Sequence, residues 1–225
     1  MEHADVDGVR LAYQVTGEPD APPMILLHGL GSGAGSWNTV AAQLAQTHRV
    51  YALYLRGHGH SDWPGKYTLE LMRDDVLGFL DALALDPAVL IGHSMGGNVA
   101  LLLAEEYPRR LSRVIIEDSL IPVPGGDAVP LPPRRFGPQA YDWQLAEAIL
   151  AQLNAPDPAW WDKLADITIP VLLIAGGPAS PAPQDLIIKA AERIPGCVLT
   201  TIPIGHAIHR DRPADFLAAV RGFLG

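Results

Sequence analysis

Apolar and polar residues recur along this chain with two different periods, and the switches between them mark out strands and helices. Val9-Arg10-Leu11-Ala12-Tyr13-Gln14-Val15 alternates with period two behind the turn-forming pair Asp7-Gly8, which predicts a strand. Met24-Ile25-Leu26-Leu27 is short and wholly apolar, the pattern of a strand buried on both faces of a parallel sheet. Val50 to Leu55, Val89-Leu90-Ile91, Arg113 to Ile116, Val171 to Ile174 and Val198 to Ile202 read the same way. Between them the period lengthens. Leu69, Met72, Val76, Phe79 or Leu80, and Leu83 recur at steps of three and four, which makes 68–84 an amphipathic helix. Ser36 to Gln46, Val99 to Ala104, 184–193 and Pro213 to Leu224 are further helices; Pro213 suits a first helical turn.

Strands alternating with helices imply right-handed crossovers and a mainly parallel sheet covered on both faces, an α/β class. Between Leu120 and Pro138 prolines are too dense for any strand to survive. Tyr141 to Asn154 is a helix carrying Leu145, Ile149 and Leu153, and a short piece holding Trp160 and Trp161 follows it. The stretch 120–166 therefore reads as an excursion from the sheet. No internal repeat is present, and 225 residues suit one domain.

Composition narrows the function classes. A hydrophobic fraction of 48% is ordinary for a globular protein, and the net charge of −9, with no basic cluster beyond pairs such as Arg109-Arg110 and Arg134-Arg135, argues against nucleic acid as a partner. The single Cys197 cannot form an internal disulfide. No apolar run approaches about 18 residues, and Met1-Glu2-His3-Ala4-Asp5 lacks the basic and apolar regions of a signal peptide. A soluble, cytoplasmic protein without a membrane partner is the expectation.

The chemistry centres on Val89-Leu90-Ile91-Gly92-His93-Ser94-Met95-Gly96-Gly97, in which a strand turns sharply into a helix with Ser94 at the apex. Such a bend strains the serine backbone and exposes its hydroxyl; Gly92 and Gly96 let strand and helix approach each other. The Met95 N–H then sits at a helix N-terminus. Ligands of open α/β sheets bind beyond the carboxyl ends of the strands. There the chain places His28-Gly29-Leu30-Gly31, Ser94, Asp118, Gly176 to Ala179, and Gly205-His206. A serine hydroxyl needs a base within hydrogen-bond reach, and His206 is the best placed.

Taken together, His28-Gly29-Leu30-Gly31, Arg56-Gly57-His58-Gly59, Gly92-His93-Ser94-Met95-Gly96-Gly97, Tyr107-Pro108 and Gly205-His206 resemble the α/β-hydrolase superfamily. The likeness is to its small serine esterase, lactonase and haloperoxidase-like branch. It implies an eight-stranded, mostly parallel sheet in one domain spanning 1–225, with 120–166 as a short cap after the sixth strand. It also implies an oxyanion hole made by the backbone N–H groups of Leu30 and Met95, and a structural role for His28.

Two positions depart from the family pattern. Most relatives carry an aspartate a few residues after the seventh strand; here Gly176-Gly177-Pro178-Ala179 puts an alanine there. Asp118, at the end of the sixth strand, is the leading substitute, with Glu117 on the opposite face of that strand. Asp185 at a helix start and the absence of any acid are the competing readings. Tyr54 stands where relatives usually carry an aspartate before Leu-Arg-Gly-His-Gly. One of Trp143, Trp160 and Trp161 is expected to wall an apolar substrate pocket together with Trp37, Met95 and Ile208. His209 reads as structural, and no metal site is expected, since His58 and His60 lack partners at ligand spacing. No cofactor is expected.

These residues point to a serine carboxylic-ester hydrolase acting on small-molecule esters. Its alternatives are a low-turnover or non-catalytic ligand-binding member of the fold, motivated by Ala179, and a lactonase, perhydrolase or thioesterase variant. Epoxide hydrolysis and dehalogenation are disfavoured, because such relatives carry aspartate where this chain has Ser94.

Overall fold

The computed structural model describes residues 1–123, 125–134 and 140–225. Pro124 and residues 135–139, which include Arg135 and Pro138 of the patterns above, lie outside the described residues.

Among the described residues, eight strands form one sheet: β1 (Glu2–Val6), β2 (Val9–Thr16), β3 (Pro23–Leu27), β4 (Arg49–Leu53), β5 (Ala88–His93), β6 (Leu111–Glu117), β7 (Val171–Ala175) and β8 (Val198–Thr201). Their spatial order is β1-β2-β4-β3-β5-β6-β7-β8. β1 and β2 form an antiparallel hairpin, β2 pairs antiparallel with β4, and every other pairing is parallel. The hairpin turns at Asp7 (φ 45°) and Gly8 (φ 81°), the left-handed pair that a two-residue connection demands. β1 itself escapes the hydrophobic pattern, because in Glu-His-Ala-Asp-Val only Ala4 and Val6 are buried.

The helices are α1 (Asn38–Leu44), α2 (Leu69–Ala82), α3 (Met95–Glu106), α4 (Trp143–Asn154), α5 (Pro158–Lys163), α6 (Gln184–Arg193), α7 (Ile208–Asp211) and α8 (Pro213–Leu224). The predicted helix over 36–46 is shorter than expected: Ala34–Trp37 is a separate 3-10 turn, and α1 begins behind it. α7 is four residues long, too short to show a period.

Successive strand side chains point to opposite faces, and the core divides accordingly. Leu90, Val114 and Ile116 join a cluster with Met72, Val76 and Phe79 of α2, Val99 and Leu103 of α3, and Ile187 of α6. Val89, Ile91 and Ile115 join a second cluster with Val40 and Leu44 of α1 and with Phe216 and Val220 of α8. Every residue of β5 is buried, which explains why its segment reads as a continuous apolar run rather than an alternating one.

The segment between β6 and β7 holds α4 and α5 and is pinned to the loop after β4. Gly59 N donates to Ala140 O at 2.8 Å, Asp142 N to Gly57 O at 2.8 Å, and Tyr67 Oη to Asp142 Oδ2 at 2.7 Å. Farther along, Leu69 N donates to Gln152 Oε1 at 2.9 Å, so α4 is fixed at both ends over the carboxyl edge of the sheet.

Candidate active site

The carboxyl ends of four adjacent strands are kept in line by backbone hydrogen bonds that run past the sheet. Ser94 N donates to Glu117 O (3.0 Å), Asp118 N to Ile174 O (2.8 Å), and Gly205 N to Gly176 O (2.9 Å). This sideways register brings Ser94, Asp118 and His206 together from positions distant in the chain.

Ser94 has φ 53° and ψ −119°, a strained conformation for a residue with a Cβ, and its carbonyl is held by the N–H of Gly97 (2.8 Å) and by Ser119 Oγ (2.7 Å). The bend is possible only because strand and helix touch backbone to backbone. A Cβ on Gly92 would overlap the Gly96 carbonyl, and one on Gly96 would overlap the Leu27 carbonyl. Met95 is the first residue of α3, so its N–H has no intrahelical acceptor. The Leu30 N–H likewise donates to no described residue, whereas its neighbour Gly31 N donates to His58 Nε2 at 3.1 Å.

That loop is held by two neutral imidazoles. His28 Nε2 accepts from Leu55 N (3.1 Å), which leaves Nδ1–H to donate to Gly29 O (2.8 Å). His58 accepts from Gly31 N and donates through Nδ1 to Arg56 O (3.2 Å). Burial pushes His28 well below the ordinary histidine value and His58 down to about 4, so both stay uncharged while they brace the loop. Tyr54, in the place of the family's aspartate, packs its ring against Gly33 and Gly59, where a Cβ would collide with it. The polar tie passes instead to Ser61, whose Oγ donates to Tyr54 O (2.5 Å) and accepts from Ala12 N (2.9 Å). Arg56 adds a buried bidentate pair with Asp75, both bonds at 2.5 Å.

Among the competing carboxylates, the one in contact with His206 is Asp118. Its Oδ2 lies 2.7 Å from His206 Nδ1, while Oδ1 accepts from Gly176 N (2.7 Å) and Gln184 Nε2 (3.3 Å); Ser180 Oγ donates to Oδ2. Burial raises the proton affinity of Asp118, yet the bonds from His206, Ser180, Gly176 and Gln184 outweigh it and hold the carboxyl below its ordinary value. Asp185 lies on the surface and pairs with Lys189 at 3.1 Å. Ala179 sits in a 3-10 turn beside Ser180, which supplies a hydroxyl to Asp118 rather than a carboxylate to the histidine. Glu117, facing the other side of the sheet, is fully buried and accepts from His209 N (2.8 Å), with His209 Nδ1 at 2.7 Å. His93 Nε2 donates to His206 O at 2.9 Å, a further tie on the loop that carries His206.

Ser94 and His206 open onto one cavity of about 140 Å³, bordered by Leu30 and Met95 and roofed by Ile149, Leu150 and Leu153 of α4. Among the described residues, Ser94 Oγ makes no hydrogen bond. The expected aromatic walls are corrected here. Trp37 is fully buried on the far side of the sheet, stacked at 4.0 Å on His209, and Ile208 lies in the same cluster. Trp143 flanks the start of α4, its Nε1 donating to Glu147 Oε1 at 3.1 Å. Trp160 and Trp161 border a separate small hollow against Leu69, Leu101 and Leu102. The largest side chains thus went where they bury most area, and the cavity took aliphatic walls. The period of Leu145, Ile149 and Leu153 was a signal for those walls, since an amphipathic helix in the excursion must cover something apolar.

The alpha/beta hydrolase fold model matches residues 22–167. The chain belongs to the alpha/beta hydrolase family. The match ends before β7 and includes Asp118 but not His206, so the histidine loop rests on the geometry above. The chain is 28% identical to the sn-1-specific diacylglycerol lipase ABHD11 of Mus musculus over 271 aligned positions, covering 100% of this chain and 88% of the relative. It is 38% identical to Epoxide hydrolase 4 of Mus musculus over 112 positions, 48% of this chain and 31% of that protein. Among solved structures, the enol-lactonase from Burkholderia xenovorans LB400 superposes with a TM-score of 0.88 at 26% identity, over 99% of both chains. Among the described residues, no helix is long and apolar enough to cross a membrane.

Proposed function

We propose that this alpha/beta hydrolase is a serine enzyme that cleaves small carboxylic esters, lactones included, through an acyl-enzyme. The observation that carries the reading is the 2.7 Å contact between Asp118 Oδ2 and His206 Nδ1, with His206 and Ser94 opening onto one cavity. Asp118 fixes the proton on Nδ1, leaving Nε2 free to accept one from Ser94. The hydroxyl and Nε2 reach hydrogen-bond distance as substrate seats, a tightening common where the unliganded geometry is loose. Ser94 Oγ attacks the carbonyl carbon, its proton passes to His206 Nε2, and the amides of Leu30 and Met95 donate to the oxyanion. The C–O bond to the leaving alcohol breaks as His206 returns the proton to it. Water, deprotonated by His206, then releases the acid and restores Ser94.

The ligand-binding alternative draws its support from Ala179, and a carboxylate in contact with His206 removes that support. A lactone is the second substrate form to test, because the enol-lactonase matches this chain over nearly its full length. For epoxides the family route needs an aspartate nucleophile, and position 94 is serine. A small-molecule ester substrate, without nucleic acid or membrane as a partner, fits the acidic charge of −9. Steady-state release of p-nitrophenol from short-chain esters tests the reading: turnover lost in Ser94→Ala supports it, and equal turnover in that variant contradicts it.

A further inference from the structure

His93 and Glu117 are the last residues of β5 and β6 and are register partners across that parallel pair, so their side chains leave the sheet on the same face. On that face stands His209 of α7. Glu117 Oε1 accepts from His209 N (2.8 Å), and its Oε2 lies 2.7 Å from His209 Nδ1. The His93 and His209 rings meet edge to face, with centroids 5.1 Å apart. Stability alone does not account for this cluster. Glu117 is fully buried and His209 is 3% exposed, and an apolar pair of similar volume is commonly as stable as a buried ionisable one. Two polar atoms of the cluster are also left unmet. Among the described residues, neither His209 Nε2 nor Nε1 of Trp37, stacked on it, has a hydrogen-bond partner.

What the cluster does is fix the loop that carries His206. His93 precedes Ser94 in the chain and Glu117 precedes Asp118, so each strand end that bears a reacting group also bears a tie to that loop. His93 Nε2 donates to the carbonyl of His206 itself at 2.9 Å, and Glu117 holds His209 three residues farther on. With Gly205 N on Gly176 O, the loop backbone is fixed before, at and after His206. The His206 ring needs that support. Its side chain is 34% exposed, and among the described residues its one hydrogen bond is the 2.7 Å contact with Asp118 Oδ2. Gly205, at φ 103°, adds no stiffness of its own on the other side. We propose that His93, Glu117 and His209 are positioning residues that hold the loop so that Asp118 keeps the proton on His206 Nδ1. Their work then shows in kcat rather than in stability. This rests on the serine-hydrolase reading above.

Replacing the pair by apolar groups of similar volume, Glu117→Leu with His209→Phe, separates positioning from stability. Tm stays close to native. KM for a short p-nitrophenyl ester stays within about twofold, because neither residue borders the cavity of Ser94, while kcat falls roughly 10- to 100-fold, the scale of a displacement near 1 Å. Nitrogen-15 NMR of labelled histidine, with His206→Gln to assign the signals, reads which ring nitrogen of neutral His206 carries the proton. In the native chain the proton stays on Nδ1, and in the double variant it divides between Nδ1 and Nε2. Glu117→Gln, which keeps the volume and an acceptor for His209 N, moves kcat and the tautomer the same way by less. His93→Phe, which removes the donor to His206 O, does likewise, and these two variants decide the matter if the double variant fails to fold. Native kcat and a native tautomer in the folded variants overturn the inference. So does a kcat that falls with Tm while the proton stays on Nδ1, since the cluster then serves stability alone. A native His206 with its proton on Nε2 overturns it as well. The NMR needs no substrate, which separates this from failure of the hydrolase reading. If no ester turns over but the variants move the proton, the hydrolase reading falls and the positioning stands. If esters turn over while kcat and the tautomer stay native in the variants, the reverse follows.

Discussion

Replacing Asp118 by asparagine changes one oxygen to an amide nitrogen and leaves the packing almost untouched. The consequence can be worked from the contacts. The carboxylate accepts bonds from Gly176 N, Gln184 Nε2, Ser180 Oγ and His206 Nδ1. Asparagine keeps its carbonyl on the Gly176 amide, at 2.7 Å in the native protein, and turns its NH2 toward His206. His206 Nδ1 must then accept, and the ring proton moves to Nε2, where it blocks transfer from Ser94. A wrong tautomer of this kind lowers kcat about 10⁴-fold, or roughly 5.4 kcal/mol at 1.36 kcal/mol per tenfold. KM changes little, because the carboxylate does not border the cavity. Stopped-flow or steady-state p-nitrophenol release measures the loss, with circular dichroism and Tm to show the fold intact. Asp185→Asn is the control: it removes a surface pair with Lys189 and leaves kcat within about twofold. The same substitution has a pH signature. Asp118 is held below its ordinary value, so it contributes stability above an unfolded value near 3.8 that is lost as pH falls through the folded value. Asp118→Asn therefore loses less stability than the native chain on acidification below pH 4. Asp118→Asn retaining more than a tenth of native kcat, or Asp185→Asn losing as much, would refute the assignment.

Two further outcomes follow from other parts of the structure. The Glu105 carboxyl is pushed up to about 8, chiefly by burial, with Lys163 opposing and Glu106 and Asp166 adding, and its Oε2 is buried without a partner. Between about pH 4.5 and 8 the folded chain holds a proton that the unfolded chain has released. Stability therefore falls as pH rises, by up to about 1.4 kcal/mol per unit, and Glu105→Gln flattens that slope in urea melts taken from pH 5 to 8; an unchanged slope counts against it. Gly92→Ala puts a methyl group into the Gly96 carbonyl where β5 meets α3, and it lowers stability by about 3 kcal/mol or prevents folding; a native-like Tm would contradict the close approach at the bend.

Much of this was legible in the residues because the signals were local. The period of Leu69, Met72, Val76 and Phe79 fixes α2 to within two residues, and α6 matches 184–193 end to end. The Ser94 bend is legible because glycines can be the only residues where backbones touch. Asp118 was reachable because a strand end has a known place in a parallel sheet. What lay beyond reach depends on partners distant in the chain. Ser180 and Gln184 read as ordinary loop and helix-start residues, and only the fold reveals that both cradle Asp118. Trp37 and Ile208 were misplaced because periodicity says that a side chain is buried but not on which side of the sheet.

Trapping the acyl-enzyme tests the central claim most directly. Rapid acid quench during turnover of a p-nitrophenyl ester, followed by peptide mass spectrometry, should find the acyl group added to Ser94, in amounts matching a burst of p-nitrophenol and absent from Ser94→Ala. Turnover with no adduct on Ser94, or with the acyl group on another residue, would contradict the account.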